Sequence, residues 1–159
     1  MPDFSGRLRA QGRVAILVSR YNELITTRLL EGALACCTEA GITREAIDII
    51  WIPGAFELPA AAAAAAESQV YSCLIALGAV IRGDTPHFDY VAGQAAHGLR
   101  DVSVRHRMPV GFGLLTVDTM QQAVDRAGGS AGNKGYEAAA AALRTADVLG
   151  QLRAYHAQA

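Results

Sequence analysis

The sequence is poor in lysine, in charge and in cysteine, and each shortage excludes a class of protein. Lys134 is the only lysine among 159 residues, and charged residues make up 18% of the chain. The 14 basic and 15 acidic residues form no basic stripe, so we do not expect nucleic acid as a partner. The three cysteines include no spaced pair, which excludes a disulfide framework and predicts reduced, buried thiols.

Long apolar runs and ligand motifs are missing as well. No apolar stretch reaches membrane-spanning length without a Glu, Arg, Asp or Pro, and the first residues lack the apolar core of a secretory signal. We therefore expect a soluble cytoplasmic protein with no membrane partner. No metal-ligand spacing occurs, and no Gly-x-Gly-x-x-Gly follows the first predicted strand, which excludes zinc, iron and ordinary dinucleotide sites.

What the sequence does contain is a regular alternation of apolar runs and helical stretches. Four short, mostly apolar runs predict strands, at residues 14–18, 47–52, 73–81 and 110–116, and the continuous run at 14–18 is typical of a strand buried on both faces. A helical pattern follows each run, and one of them contains seven consecutive alanines. We predict an α/β fold, a three-layer αβα sandwich with a four-stranded parallel sheet and flavodoxin-like topology. Residues 13–159 form this domain, and residues 1–12 are an N-terminal arm or an added edge strand.

Ligands of open α/β sheets bind at the carboxyl ends of the strands, and the segment after the third run is the most informative one there. Thr85 suits an N-cap and Pro86 the first helical position, so free backbone N–H groups at this helix start can bind an anion. The charge of Asp84 opposes an anion, and we expect its side chain to point away. A plain helix cap without a ligand is the alternative.

His87 and Arg126 are the candidates for proton transfer and for anion binding. Imidazole titrates near neutral pH, and His87 lies beside the predicted anion site, although a locally packed histidine is the alternative. The guanidinium of Arg126, just before a glycine-rich stretch, matches the geometry of a phosphate. A solvated surface charge is the other interpretation of Arg126.

Aromatic residues and a carboxylate complete the candidate site. Tyr21, Phe56 and Phe112 are able to stack on a flat heterocycle, although core packing is the usual role of an aromatic side chain. Glu57 lies at a predicted helix start, where the helix dipole favours a carboxylate. Its functional interpretation is an acceptor for the hydroxyl groups of a polyol.

At these segments the chain resembles the lumazine synthase family, and the resemblance extends over residues 13–152. Several motifs occur in the family's order and spacing. They are Ser19-Arg20-Tyr21-Asn22, Pro53-Gly54-Ala55-Phe56-Glu57-Leu58-Pro59, the stretch from Leu77 to Tyr90, Arg126-Ala127-Gly128 and Ala131-Gly132-Asn133-Lys134-Gly135.

The resemblance implies a transferase of riboflavin biosynthesis. It would condense 5-amino-6-(D-ribitylamino)uracil with 3,4-dihydroxy-2-butanone 4-phosphate to 6,7-dimethyl-8-ribityllumazine, phosphate and water, without a metal or an organic cofactor. Because the substrate supplies the amine of the Schiff base, a chain with one lysine is compatible with this route. A flavin- or lumazine-binding storage module without turnover and a related riboflavin synthase are the alternatives.

The resemblance also implies roles for individual residues. His87 would transfer protons, Phe112 would close the pocket from a neighbouring subunit, and Tyr21 would replace the Phe or Trp that usually stacks on the pyrimidine. The other pyrimidine and ribityl contacts would come from Ala55, Phe56, Glu57, Ala79, Val80 and Ile81, and the phosphate contacts from Asp84, Thr85 and Arg126.

The family forms pentamers, and some members form icosahedral capsids of twelve pentamers. In the resemblance, a compact turn over residues 127–135 accompanies capsids, whereas longer loops accompany isolated pentamers. This chain has the compact form, so we expect a homo-oligomer of 60 subunits, with a pentamer as the alternative.

Overall fold

Four parallel strands form the central sheet of the computed structural model, which describes residues 1–159. The strands are β1 (Arg13–Ser19), β2 (Ile47–Ile52), β3 (Tyr71–Ile81) and β4 (Val110–Val117). They lie in the order β2-β1-β3-β4, and every neighbouring pair is parallel. The predicted α/β sandwich with flavodoxin-like strand order is confirmed.

Five helices cover the two faces of the sheet. They are α1 (Glu23–Glu39), α2 (Leu58–Glu67), α3 (His87–His106), α4 (Met120–Arg126) and α5 (Lys134–Ala157), and one 3-10 turn, Ala55–Glu57, precedes α2. The helices α1, α4 and α5 pack on one face, and α2 and α3 pack on the other. No helix is both long enough and apolar enough to span a membrane.

The continuous apolar runs are explained by two cores that share the same strands. In β1, Val14, Ile16 and Val18 face α1 and α5, whereas Ala15 and Leu17 face α2 and α3. Successive side chains of a strand point to opposite faces, so a strand between two helical layers needs apolar residues at every position. The alternation expected of a half-exposed strand is therefore absent.

The start of α3 differs from the prediction by one residue. Pro86 occupies the N-cap position, and the first helical residue is His87 rather than Pro86. Thr85 lies outside the helix, and its Oγ1 accepts a long hydrogen bond of 3.5 Å from the backbone N–H of His87. A threonine hydroxyl that bonds two residues along the chain forms a turn of its own, which delays the helix.

The glycine-rich stretch does more than break a helix. It forms a two-stranded antiparallel ribbon from β5 (Ala127–Gly129) and β6 (Gly132–Asn133). Gly128 and Gly132 have φ values of 98° and 82°, which residues other than glycine rarely adopt. The side chain of Asn133 then caps α5 by accepting from the N–H groups of Gly135 and Tyr136 at 2.8 and 3.1 Å.

Residues 1–12 form no strand, and they lie against α5 as an extended arm. They are held by Asp147, whose side chain is only 1% exposed. Its carboxylate accepts from the backbone N–H of Arg7 and the Nε of Arg9, both at 2.8 Å, and from Gln11 at 3.2 Å. These donors, with Arg7 first, hold the pKa of Asp147 below its usual range.

Candidate active site

The strand order places a crevice between the carboxyl ends of β1 and β3. The chain continues from β1 to β2 on one side and then returns to β3 on the other side, which is where open α/β sheets bind ligands. A cavity of about 650 Å³ lies at this edge of the sheet. Its lining comes from the turn after β1, the segment after β2, the end of β3 and the start of α3.

Two aromatic side chains of the cavity are exposed rather than packed in the core. Tyr21 is 72% exposed and Phe56 is 61% exposed, so the core-packing interpretation does not apply to either residue. The backbone N–H of Tyr21 donates to the carbonyl of Pro53 at 3.0 Å, and that of Arg20 donates to Ile52 at 2.8 Å. These bonds fix the turn after β1 against the end of β2 and hold both rings at the mouth of the cavity.

The floor of the cavity is formed by a strand that is paired on one side only. The pairing of β1 with β3 ends at Val18 and Leu77, whereas the pairing of β3 with β4 continues to Ile81 and Val117. Beyond Leu77, the peptide groups of β3 that point towards β1 therefore have no strand partner. Such groups need hydrogen bonds from elsewhere and are suited to reading the edge of a polar ring.

The start of α3 brings a histidine and a hydroxyl group to the same cavity. Gly83, Thr85 and His87 line it, whereas the side chain of Asp84 is exposed and does not. This is the arrangement expected for Asp84 if the neighbouring backbone is to accommodate an anion. The side-chain hydrogen bond at His87 is made by its backbone N–H, so both nitrogens of the imidazole are available to a ligand.

Arg82 holds the loop that precedes α3. Its Nε lies 2.9 Å from Asp118, its Nη1 lies 3.5 Å from Asp89, and its guanidinium stacks 4.3 Å from the centre of the Phe88 ring. The hydrogen bond to Asp118 raises the pKa of Arg82 above its ordinary value. Arg82 thus ties the ends of β3 and β4 to the first turn of α3.

A second concavity of about 290 Å³ lies beside β4 and shares no lining residue with the first. Phe112, Arg126 and Lys134 line it, and the Phe112 side chain is 50% exposed. Lys134 is paired with Glu137 at 3.3 Å. The guanidinium of Arg126 pairs with no carboxylate and donates only to the carbonyl of Gln122, at 3.2 Å. No three His, Cys, Asp or Glu side chains anywhere in the chain are grouped as metal ligands.

Comparison with known proteins decides the family. The sequence profile of 6,7-dimethyl-8-ribityllumazine synthase matches residues 11–150. The 6,7-dimethyl-8-ribityllumazine synthase of Gemmatimonas aurantiaca is 50% identical over 150 residues, which are 94% of this chain and 92% of that relative. The chain belongs to the 6,7-dimethyl-8-ribityllumazine synthase family. The resemblance inferred from the sequence motifs is thereby confirmed.

Within this lumazine synthase fold, most of the predicted site residues share the first cavity. They are Tyr21, Ala55, Phe56, Glu57, Ala79, Val80, Ile81, Thr85 and His87. Phe112 and Arg126 lie together in the second concavity instead, and Asp84 faces solvent. One copy of the chain therefore brings together His87, Thr85 and the predicted pyrimidine groups other than Phe112, without Arg126, the predicted phosphate clamp.

Some lining residues of the lumazine synthase cavity were missed by the sequence reasoning. Tyr90 and Val91 follow His87 by three and four residues, so all three lie on one face of α3. That spacing was readable in the sequence once His87 had been selected. Phe88 contributes differently, because it lines the cavity while Arg82 stacks on its ring.

Proposed function

We propose that this chain is a transferase of riboflavin biosynthesis. It condenses 5-amino-6-(D-ribitylamino)uracil with 3,4-dihydroxy-2-butanone 4-phosphate and forms 6,7-dimethyl-8-ribityllumazine, phosphate and water. One observation carries the assignment to this cavity: the aromatic turn after β1, the half-paired end of β3 and the histidine at the start of α3 all face the same space. The family membership supplies the reaction.

The pyrimidine substrate binds at the floor and mouth of the first cavity. Tyr21 stacks on its ring, as Phe or Trp does elsewhere in the family. Ala79, Val80 and Ile81 bind its polar edge, largely through backbone groups. Ala55 and Phe56 contact the ring and the ribityl chain, and the Glu57 carboxylate accepts from ribityl hydroxyls. The exposed aromatic rings, and the lack of a strand partner on the β1 side of β3 beyond Leu77, support this placement.

The phosphate of the second substrate binds near the start of α3. Backbone N–H groups at Asp84 and Thr85, the Thr85 hydroxyl and the positive end of the helix dipole favour an anion there. Arg126 completes the phosphate site. Its guanidinium has no carboxylate partner to displace, and a bond between it and a phosphate contributes about 1.5–3 kcal/mol.

The chemistry requires proton transfer rather than a protein nucleophile. The amine of the pyrimidine attacks the ketone, and water leaves to give a Schiff base. Phosphate then leaves by elimination, and closure of the ring onto the remaining carbonyl releases a second water. His87 moves protons during these steps, and Arg126 with the helix start stabilises the departing phosphate. The only lysine of the chain lies outside the first cavity, which agrees with an amine supplied by the substrate.

A second copy of the chain completes the site. Phe112 and Arg126 share a concavity that is separate from the one containing His87, so a neighbour that places its second concavity against the first cavity supplies the missing groups. The compact ribbon of β5 and β6 supports 60 subunits in twelve pentamers, with a pentamer as the smaller alternative. A light-scattering mass near five subunits would contradict the 60-subunit assembly.

The test of the function is a fluorescence assay with both substrates. Product formation, followed by the fluorescence of the lumazine, supports the transferase, whereas ligand binding without turnover would indicate a storage module. Arg126→Ala should sharply raise the KM of the phosphate substrate, and Tyr21→Ala should instead raise that of the pyrimidine. An enzyme that converts two lumazines would be untouched by Arg126→Ala, because it binds no phosphate substrate.

A further inference from the structure

Asn22, the residue after the aromatic of the first turn, has an unusual backbone conformation. Its φ and ψ are 59° and 47°, in the left-handed region, which asparagine tolerates better than most residues other than glycine. Its carbonyl accepts from the N–H groups of Ile25 and Thr26 at 2.9 and 3.0 Å, so the residue begins α1. Its side chain, however, makes no capping bond to that helix.

The side chain instead reaches the neighbouring strand. Asn22 Nδ2 donates to the carbonyl of Ala79 at 2.9 Å. Because a carbonyl can only accept, the amide nitrogen must be the atom that faces it. The pairing of β1 with β3 ends two residues before Ala79, so this bond replaces one that a longer β1 would have provided.

The bond joins the turn after β1 to the end of β3, two parts of the proposed pyrimidine site that lie beyond the last paired residues of these strands. Tyr21 precedes Asn22 directly, and the backbone N–H of Tyr21 is already tied to Pro53 after β2. On the other side, Ala79 lies in the half-paired segment that forms the cavity floor. Asn22 therefore sets the distance between the stacking ring and the peptide groups that read the ring edge.

We propose that Asn22 is a positioning residue for the pyrimidine substrate. It acts through Ala79 and through the left-handed turn, and it holds Tyr21 over the end of β3. The inference rests on the proposed function, since it assumes that the ring of the pyrimidine lies between these two elements. The alternative is a purely structural asparagine that terminates β1 and starts α1.

Two substitutions separate these roles. Asn22→Gly keeps the left-handed conformation and deletes the donor, and Asn22→Asp keeps the shape but places a carboxylate oxygen against a carbonyl. Gln69→Gly is the matched control, because Gln69 also has a positive φ, 57°, but lies before β3 at the opposite edge of the sheet. Thermal unfolding and circular dichroism of each variant identify any loss of fold.

The expected result is selective for one substrate. In the two-substrate assay, Asn22→Gly raises the KM of the pyrimidine about three- to tenfold, and Asn22→Asp raises it by about tenfold or more. The KM of the phosphate substrate stays at the wild-type value in both variants, and Gln69→Gly changes neither KM.

Three results overturn the inference. The first is that Asn22→Gly and Asn22→Asp both fold and, like Gln69→Gly, change neither KM. The second is that these two variants raise the KM of both substrates equally. The third is a wild-type protein that forms no lumazine, which overturns the proposed function together with this inference. The first two leave the proposed function intact, because they require an active wild-type enzyme.

Discussion

Mixed oligomers provide a quantitative test of a site shared between two copies. His87 and Arg126 line separate concavities of one chain, so the proposed site takes His87 from one copy and Arg126 from its neighbour. His87→Ala and Arg126→Ala are co-expressed in equal amounts with different tags, and the doubly tagged assemblies are isolated. A site is complete wherever an Arg126→Ala copy, which retains His87, meets a His87→Ala copy, which retains Arg126. Random mixing around a closed ring gives this arrangement at about one quarter of the sites.

The assay is lumazine fluorescence per subunit at a low concentration of the phosphate substrate, where each variant alone is nearly inactive. The control is an equal mixture of wild type and the chain that carries both substitutions. A shared site again leaves about one quarter of the sites complete, whereas a site within one chain leaves about one half. No recovered activity in the first mixture, together with about one half in the second, would refute the shared site.

Three further predictions concern single groups. His87→Gln should lower kcat by no more than about 10²-fold, the low end for acid–base catalysis, because substrate positioning supplies most of the acceleration. A loss of substrate binding as large as the loss of kcat would argue against proton transfer. The bonds to the ionised Asp147 stabilise the N-terminal arm fully above the ordinary pKa of about 3.9, and this stability is lost as the pH falls through the lowered pKa. Asp147→Asn should therefore have the effect of acid and speed tryptic cleavage at Arg9 at pH 7. Unchanged cleavage would show that other contacts hold the arm. Burial raises the pKa of Cys36 and Cys37 to about 11 and that of Cys73 to about 12. Iodoacetamide at pH 8 should therefore label no cysteine until the protein is unfolded, and labelling of the folded protein in a mass spectrum would contradict this.

The strands and the carboxyl-edge site were predictable because their signals are local. Residues 14–18 and 73–81 read as buried strands since every side chain there is apolar, and the structure places both runs between two helical layers. The edge rule then selected Tyr21, Glu57 and His87, which share one cavity. In each case, the type of residue in the segment after a strand was enough to identify it as a candidate site residue.

Other features depend on partners that are distant in sequence or absent from one chain. Asp147 binds the arm across 138 residues to Arg9, and no periodicity marks such a pair. No local pattern predicts the hydrogen bond from Asn22 to Ala79, because the bond depends on where β1 ends relative to β3. Phe112 and Arg126 lie apart from His87, as the proposal of a site shared between two copies requires.

The one-sided pairing of β3 has a consequence for inhibitor resistance. Main-chain atoms of residues 79–81 are the same whatever side chain each residue carries, and proline is the exception because it lacks the N–H. A compound whose donors and acceptors match those peptide groups would keep its contacts through most point mutations in the segment. Escape would require changes that displace the strand itself, and in the proposed site these would also weaken binding of the enzyme's own substrate.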